Sequence, residues 1–165
     1  MVKNIAKIIV ALALLGALAY ALWLLFPSEE TKIRQDLQKL AELATFTGRE
    51  GNFKRVATAS ALADHFATNA EIAVELPGRG VHTLQGRAEI RQTAFGAMAQ
   101  GRRIKVEFYD TNVALAPDKL TAKVELTAKI FPGEGDFILQ ELHFQMRKVD
   151  SGWVIEQIET VQTFR

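Results

Sequence analysis

Three rhythms of apolar residues divide this chain. The first is continuous. Residues 5–26 are apolar apart from Lys7 and Tyr20, and the stretch from Ile8 to Phe26 carries no charge. At about 1.5 Å per residue, a helix of this length matches a hydrocarbon layer of about 30 Å, and a helix satisfies its own backbone in lipid. The second rhythm has a helical period. Ser28 opens it as a capping residue, and Ile33, Leu37, Leu40, Ala41, Leu43 and Ala44 follow until Phe46-Thr47-Gly48. A further helix is predicted from Asn52 to Phe66, with Phe53, Val56, Ala57, Ser60, Ala61 and Ala63 as its packing face. Another runs from Arg87 to Gln100 and carries Ile90, Ala94, Phe95, Ala97 and Met98.

The third rhythm alternates, as strands do. Ala70 to Leu76 and Val81 to Leu84 form one pair about Pro77-Gly78-Arg79-Gly80. Arg102 to Ala116, Lys119 to Phe131, Asp136 to Val149 and Trp153 to Phe164 follow. In Lys119 to Phe131, Leu120, Ala122, Val124, Leu126, Ala128 and Ile130 alternate with polar residues, which predicts a strand with one face buried and one wet. The order is helix, helix, strand, strand, helix, then four strands. Segregated helices beside antiparallel strands mean an α+β fold. The expected organisation is a stub and transmembrane anchor over residues 1–27, then one domain over residues 28–165. In that domain three helices pack on a curved, mostly antiparallel sheet that wraps into a cone with a cavity.

Charge orients the anchor. Lys3 and Lys7 precede the apolar run, and Glu29 and Glu30 follow it. Positive residues stay on the cytoplasmic side, so the expectation is a single pass through a bacterial inner membrane with a periplasmic domain. Tyr20 and Trp23 would sit at the outer interface. A cleaved secretory signal is the competing reading, with Ala19 and Ala21 as the small residues of a cut site. Twenty basic and nineteen acidic residues leave a net charge of +1, which argues against nucleic acid as the main partner. The absence of cysteine removes disulfides, thiolate metal ligands and a cysteine nucleophile. The three histidines lie at no metal-ligand spacing, and no glycine loop for phosphate or nucleophile elbow is present. No metal and no cofactor is therefore expected.

Three local runs resemble the nuclear transport factor two-like superfamily, the cystatin-like cone fold. Ala61-Leu-Ala-Asp-His-Phe-Ala-Thr-Asn-Ala-Glu-Ile-Ala-Val74 looks like its helix leading into a first strand, Gly86-Arg-Ala-Glu-Ile90 like its glycine-initiated helix, and Ser151-Gly-Trp-Val-Ile155 like its final hairpin. The resemblance covers Ser28 to Arg165 and implies the cone. Its enzymes place an acidic or histidine base in an apolar pocket inside that cone, and the fold hosts binding modules as well.

Strand parity then sorts the polar residues. Ile104, Val106 and Phe108 point inward, and Asp110 continues their parity. It is the candidate base, although a strand-end aspartate that caps a bulge or faces water at the cone mouth is the plainer reading. Gln140 shares the inward parity of Leu142, Phe144 and Met146. The expected pocket is therefore Phe95, Phe108, Asp110, Gln140 and Phe144, with Tyr109 nearby. His65, beside Asp64 at a helix end, has a plain electrostatic reason to be there, and His82 has no partner in sequence. Thr127, Lys129, Glu141 and His143 take the outer parity, and Phe131, Phe137 and Leu139 add apolar area at one end. A plain solvated surface is one reading of that outer face, and an interface is the other, because members of the superfamily often pair through it. The function expected is a non-catalytic, membrane-anchored binding or assembly module, an accessory subunit or scaffold that contacts another membrane protein or a copy of itself. The alternative is a small apolar ligand-binding protein, or an isomerase- or cyclase-like enzyme using the cone pocket.

Overall fold

The computed structural model describes residues 12–18, 20, 28–76, 80–133 and 135–161. Residues 12–18 and 20 are helical and exposed, and the remainder of the predicted span 5–26, with Lys3, Lys7 and Trp23, lies outside the described residues. Among the described residues no helix is long and apolar enough to cross a membrane.

Ser28 caps the first helix of the domain, α1 (Glu29–Leu43), by accepting from the Thr31 backbone N–H at 3.2 Å. Glu29 and Glu30 in its first turn suit the positive end of the helix. Ile33, Leu37, Leu40 and Ala41 make its buried stripe, as their spacing predicts. Helix α2 (Asn52–Asp64) runs into strand β1 (Phe66–Leu76), which pairs with β2 (Gly80–Gln85). Helix α3 (Gly86–Ala99) starts at Gly86, whose φ of +80° is a left-handed turn that only glycine adopts freely. Strands β3 (Lys105–Leu115), β4 (Thr121–Phe131), β5 (Ile138–Val149) and β6 (Gly152–Thr160) complete the domain.

The six strands lie in the order β2-β1-β6-β5-β4-β3, all neighbours antiparallel except β1 and β6, which run parallel. One face of this mixed sheet packs on the helices. Ala122, Val124, Leu126 and Ala128 of β4, Leu142, Phe144 and Met146 of β5, and Ile155 and Ile158 of β6 close on the α1 stripe. Two expectations change here. Helix α2 buries Ala59 and Ala63, while Phe53 is 90% exposed and Val56 is 50% exposed. Leu120, assigned to the inward row, precedes β4 and is exposed.

The start of α1 is fixed by one carboxylate. Glu29 accepts from Lys32 Nζ at 2.8 Å, from Trp153 Nε1 at 2.9 Å, and pairs with Lys148 Nζ at 3.1 Å. These bonds, to Lys32 first, then Lys148 and Trp153, hold the Glu29 carboxyl down at about 2. They fasten the start of α1 to the β5–β6 hairpin.

Candidate functional site

The interior around Phe144 is filled. Phe144 is 1% exposed and meets Phe108 edge to face, with ring centroids 6.1 Å apart. Ile33, Leu37 and Val124 occupy the space around them, and among the described residues no polar or charged side chain is buried. Phe95 is half-buried on α3. Gln140 keeps its inward parity, but its amide donates to the Glu75 carbonyl and to Thr160 Oγ1, tying β5 to the β1–β6 pair.

Asp110 does not line this interior. The β3–β4 register shifts between Tyr109 and Asn112, and Asp110 sits in that bulge with a φ of +51°. The extra residue flips the parity of everything after it, so Val113 and Leu115 take over the packing row. Asp110 is exposed and borders a shallow depression with Asn112, Glu125, Glu141 and His143 on the outer face.

A different concavity exists. A cleft of about 660 Å³ lies between α1 and the edge strand β3, over Leu37, Ala41, Val106 and Phe108. Arg34, Gln38, Glu42, Lys105 and Glu107 also line it. It is bounded at one end by Arg34, which donates to the Thr111 carbonyl, and at the other by Thr45, whose hydroxyl accepts from the Val106 N–H at 3.0 Å. Of the residues expected at a pocket, Phe108 and the nearby Tyr109 line this cleft, whereas α1 as its other wall was not foreseen. Nothing in a strand's own pattern says that it will be an edge.

The outer face is laid out by register. Lys105 lies opposite Phe131, Glu107 opposite Lys129, and Lys129 opposite Leu139. Lys129 Nζ stands 4.1 Å from the Phe137 ring centre and 5.0 Å from that of Phe131, and the two rings are 6.0 Å apart. Lys105 Nζ stands 5.5 Å from Phe131 and pairs with Glu107 at 2.7 Å. Tyr109 also donates to Glu107, so the Glu107 carboxyl is held below its ordinary range, chiefly by Lys105, and the Tyr109 hydroxyl is pushed up. Thr127 and Glu141 form the next row, and Glu125, His143 and Glu159 the one after. His143 Nε2 is 3.5 Å from Glu125 and its Nδ1 is 4.0 Å from Glu159. Phe137 is 49% exposed and Leu139 59% exposed. The structure thus brings the outer-face residues together and separates Asp110 from Phe95, Phe108 and Phe144.

His65 follows α2, and burial pushes its imidazole down. His82 is exposed on β2. Among the described residues no cluster of histidine and carboxylate could hold a metal ion.

The curved mixed sheet with its helices is the nuclear transport factor two-like, cystatin-like fold. A protein of that description from Novosphingobium aromaticivorans superposes with a TM-score of 0.60 at 24% identity, over 88% of each chain. A provisional scytalone dehydratase from the same organism gives 0.62 at 14% identity, over 82% of this chain and 85% of that one. The yeast UBP3-associated protein BRE5 gives 0.61 at 15% identity, over 84% of this chain and all of that one. No protein-family model and no curated protein matches the chain by sequence.

Proposed function

We propose that this chain is a non-catalytic binding or assembly module. In this reading residues 5–26 hold it at a bacterial inner membrane, and its periplasmic domain serves as an accessory subunit or scaffold of a membrane protein complex. One observation carries the choice. The interior around Phe144 is packed with Ile33 and Val124 and buries no polar or charged side chain among the described residues, while apolar side chains are left on the outer face of the sheet. Asp110, the candidate base, stands on that same outer face in open solvent. Apolar area kept in water is a cost that a covering partner removes. The fold itself is neutral on the point, since one similar structure is described by a protein it associates with and another by a dehydration activity.

The test is gentle detergent extraction of the native membrane, followed by identification of what co-purifies with the full chain. A stoichiometric protein partner or a defined homo-oligomer is expected, and Asp110→Asn should leave the host phenotype unchanged. A chain that always runs alone as a monomer overturns the reading.

The cleft between α1 and β3 favours a second reading, a carrier or enzyme for a small apolar molecule. Its volume falls within the range of small-molecule sites, and its floor is apolar. A small molecule recovered from the purified chain by mass spectrometry, and lost in Gln38→Trp, would favour this reading over the first.

A further inference from the structure

We infer that the end of the sheet bearing Lys105, Lys129, Phe131, Phe137 and Leu139 docks an acidic segment of a partner protein that also carries apolar side chains. The inference rests on the reading of the chain as a binding module and names the surface and the chemistry of its partner.

Charge is the first argument. Among the described residues no carboxylate comes within bridging distance of Lys129, whose ammonium lies over two aromatic rings instead. Glu107, the acid in its row, is engaged by Lys105 and Tyr109 and also feels the charge of Lys129. Asp136 and Glu141 are further exposed carboxylates nearby, set against Lys105, Lys129, Arg102 and Arg103. Arg102 and Arg103 lead into β3 at the same end of the sheet, both exposed and neither in an ion pair among the described residues. A cation held over rings remains open on its outer side to an incoming carboxylate. Beside it, Phe137 and Leu139 expose about half of their surface, as an apolar contact waiting for cover would. A segment that alternates carboxylates with apolar side chains complements both features.

Position is the second argument, and it decides between a protein and a bilayer. The chain enters the domain at Ser28, and Glu29 fastens that entry to Lys148 and Trp153. Leu139 lies at the other end of β5, roughly 30 Å from Lys148 at the rise of a strand. A domain tethered by residues 5–26 therefore holds this patch away from the membrane surface, within reach of the periplasmic part of a neighbour. A second copy fits less well. A two-fold axis passing at Lys129 would bring Lys129 against Lys129, a like-charge contact.

The test uses the full chain in detergent. Fluorescence anisotropy follows a fluorescein-labelled, glutamate-rich peptide bearing phenylalanine, with a lysine-for-glutamate peptide as control. The acidic peptide should bind and weaken with salt, and the basic one should not bind. The double variant Lys105→Glu/Lys129→Glu should weaken binding roughly tenfold or more. Leu139→Ser, at an exposed position with little bearing on folding, should weaken it severalfold. Circular dichroism of each variant checks that the fold is kept. Equal affinity of wild type and both variants overturns the inference. So does bridging of nanodisc-held chain to vesicles containing anionic lipid when the double variant abolishes it, which would assign the patch to a bilayer. Loss of self-association in the double variant would assign it to a second copy and overturn it too. A partner that co-purifies undiminished with the double variant would leave the module reading standing and remove this surface from it.

Discussion

Single residues carry much of what is distinctive here. Asp110 has the left-handed φ that costs most side chains about 1–2 kcal/mol, and aspartate tolerates it better than most. Asp110→Gly should therefore leave thermal stability unchanged or slightly raised, while Asp110→Val, β-branched, should lower it by about 1–2 kcal/mol. Glu29 supports a prediction with a sign. Its folded carboxyl titrates at about 2 against an ordinary 4.5, so the unfolded chain takes up the proton first as pH falls. Its contribution is complete above about 4.5 and fades as pH falls toward 2. Glu29→Gln should cost about 1–2 kcal/mol in denaturant unfolding at pH 7. The gap to wild type should narrow on approaching pH 2. A constant gap across that window would mean that the bonds to Lys148 and Trp153 do not depend on the charge.

At the level of elements, the strands show what pattern reveals and what it hides. Strand β4 was legible because its period of two is unbroken from Ala122 to Ile130, and each apolar residue of that row packs on the core. Strand β3 was legible only as far as Tyr109. A bulge adds one residue, leaves no mark in composition, and inverts every side chain beyond it, so parity alone points Asp110 inward, while the plainer reading, an aspartate at a bulge or facing water, is where it stands. Helix α2 misled in another way. Phe53 and Val56 look like core residues by type, but the helix meets its neighbours through small residues, Ala59 and Ala63. Phe53→Ala should therefore change stability by no more than about 0.5 kcal/mol. Phe144→Ala, which empties the filled interior, should cost about 3–5 kcal/mol in the same denaturant titration.

The whole molecule depends on contacts between distant parts of the chain, which no local window reveals. The parallel pairing of β1 with β6 could not be read from either strand alone, and neither could the exposure of β3 as an edge that leaves a cleft beside α1. The outer-face candidates were legible, because polar parity alone assigns them to one surface. Location is a property of this scale as well. The full chain should stay with the membrane pellet after a salt or alkaline wash, and removal of residues 1–27 should release a folded domain. Recovery of the intact chain in the salt-washed supernatant would count against the tether. The seating of β6 between β1 and β5 also governs how the chain is made. Neither β1 nor β5 has its full set of neighbours until β6 has left the ribosome, so a nascent chain stopped after Val149 leaves both with a raw edge. Protease resistance should therefore appear only once β6 has been made, and a nonsense codon just before Gly152 should be as damaging as an early one.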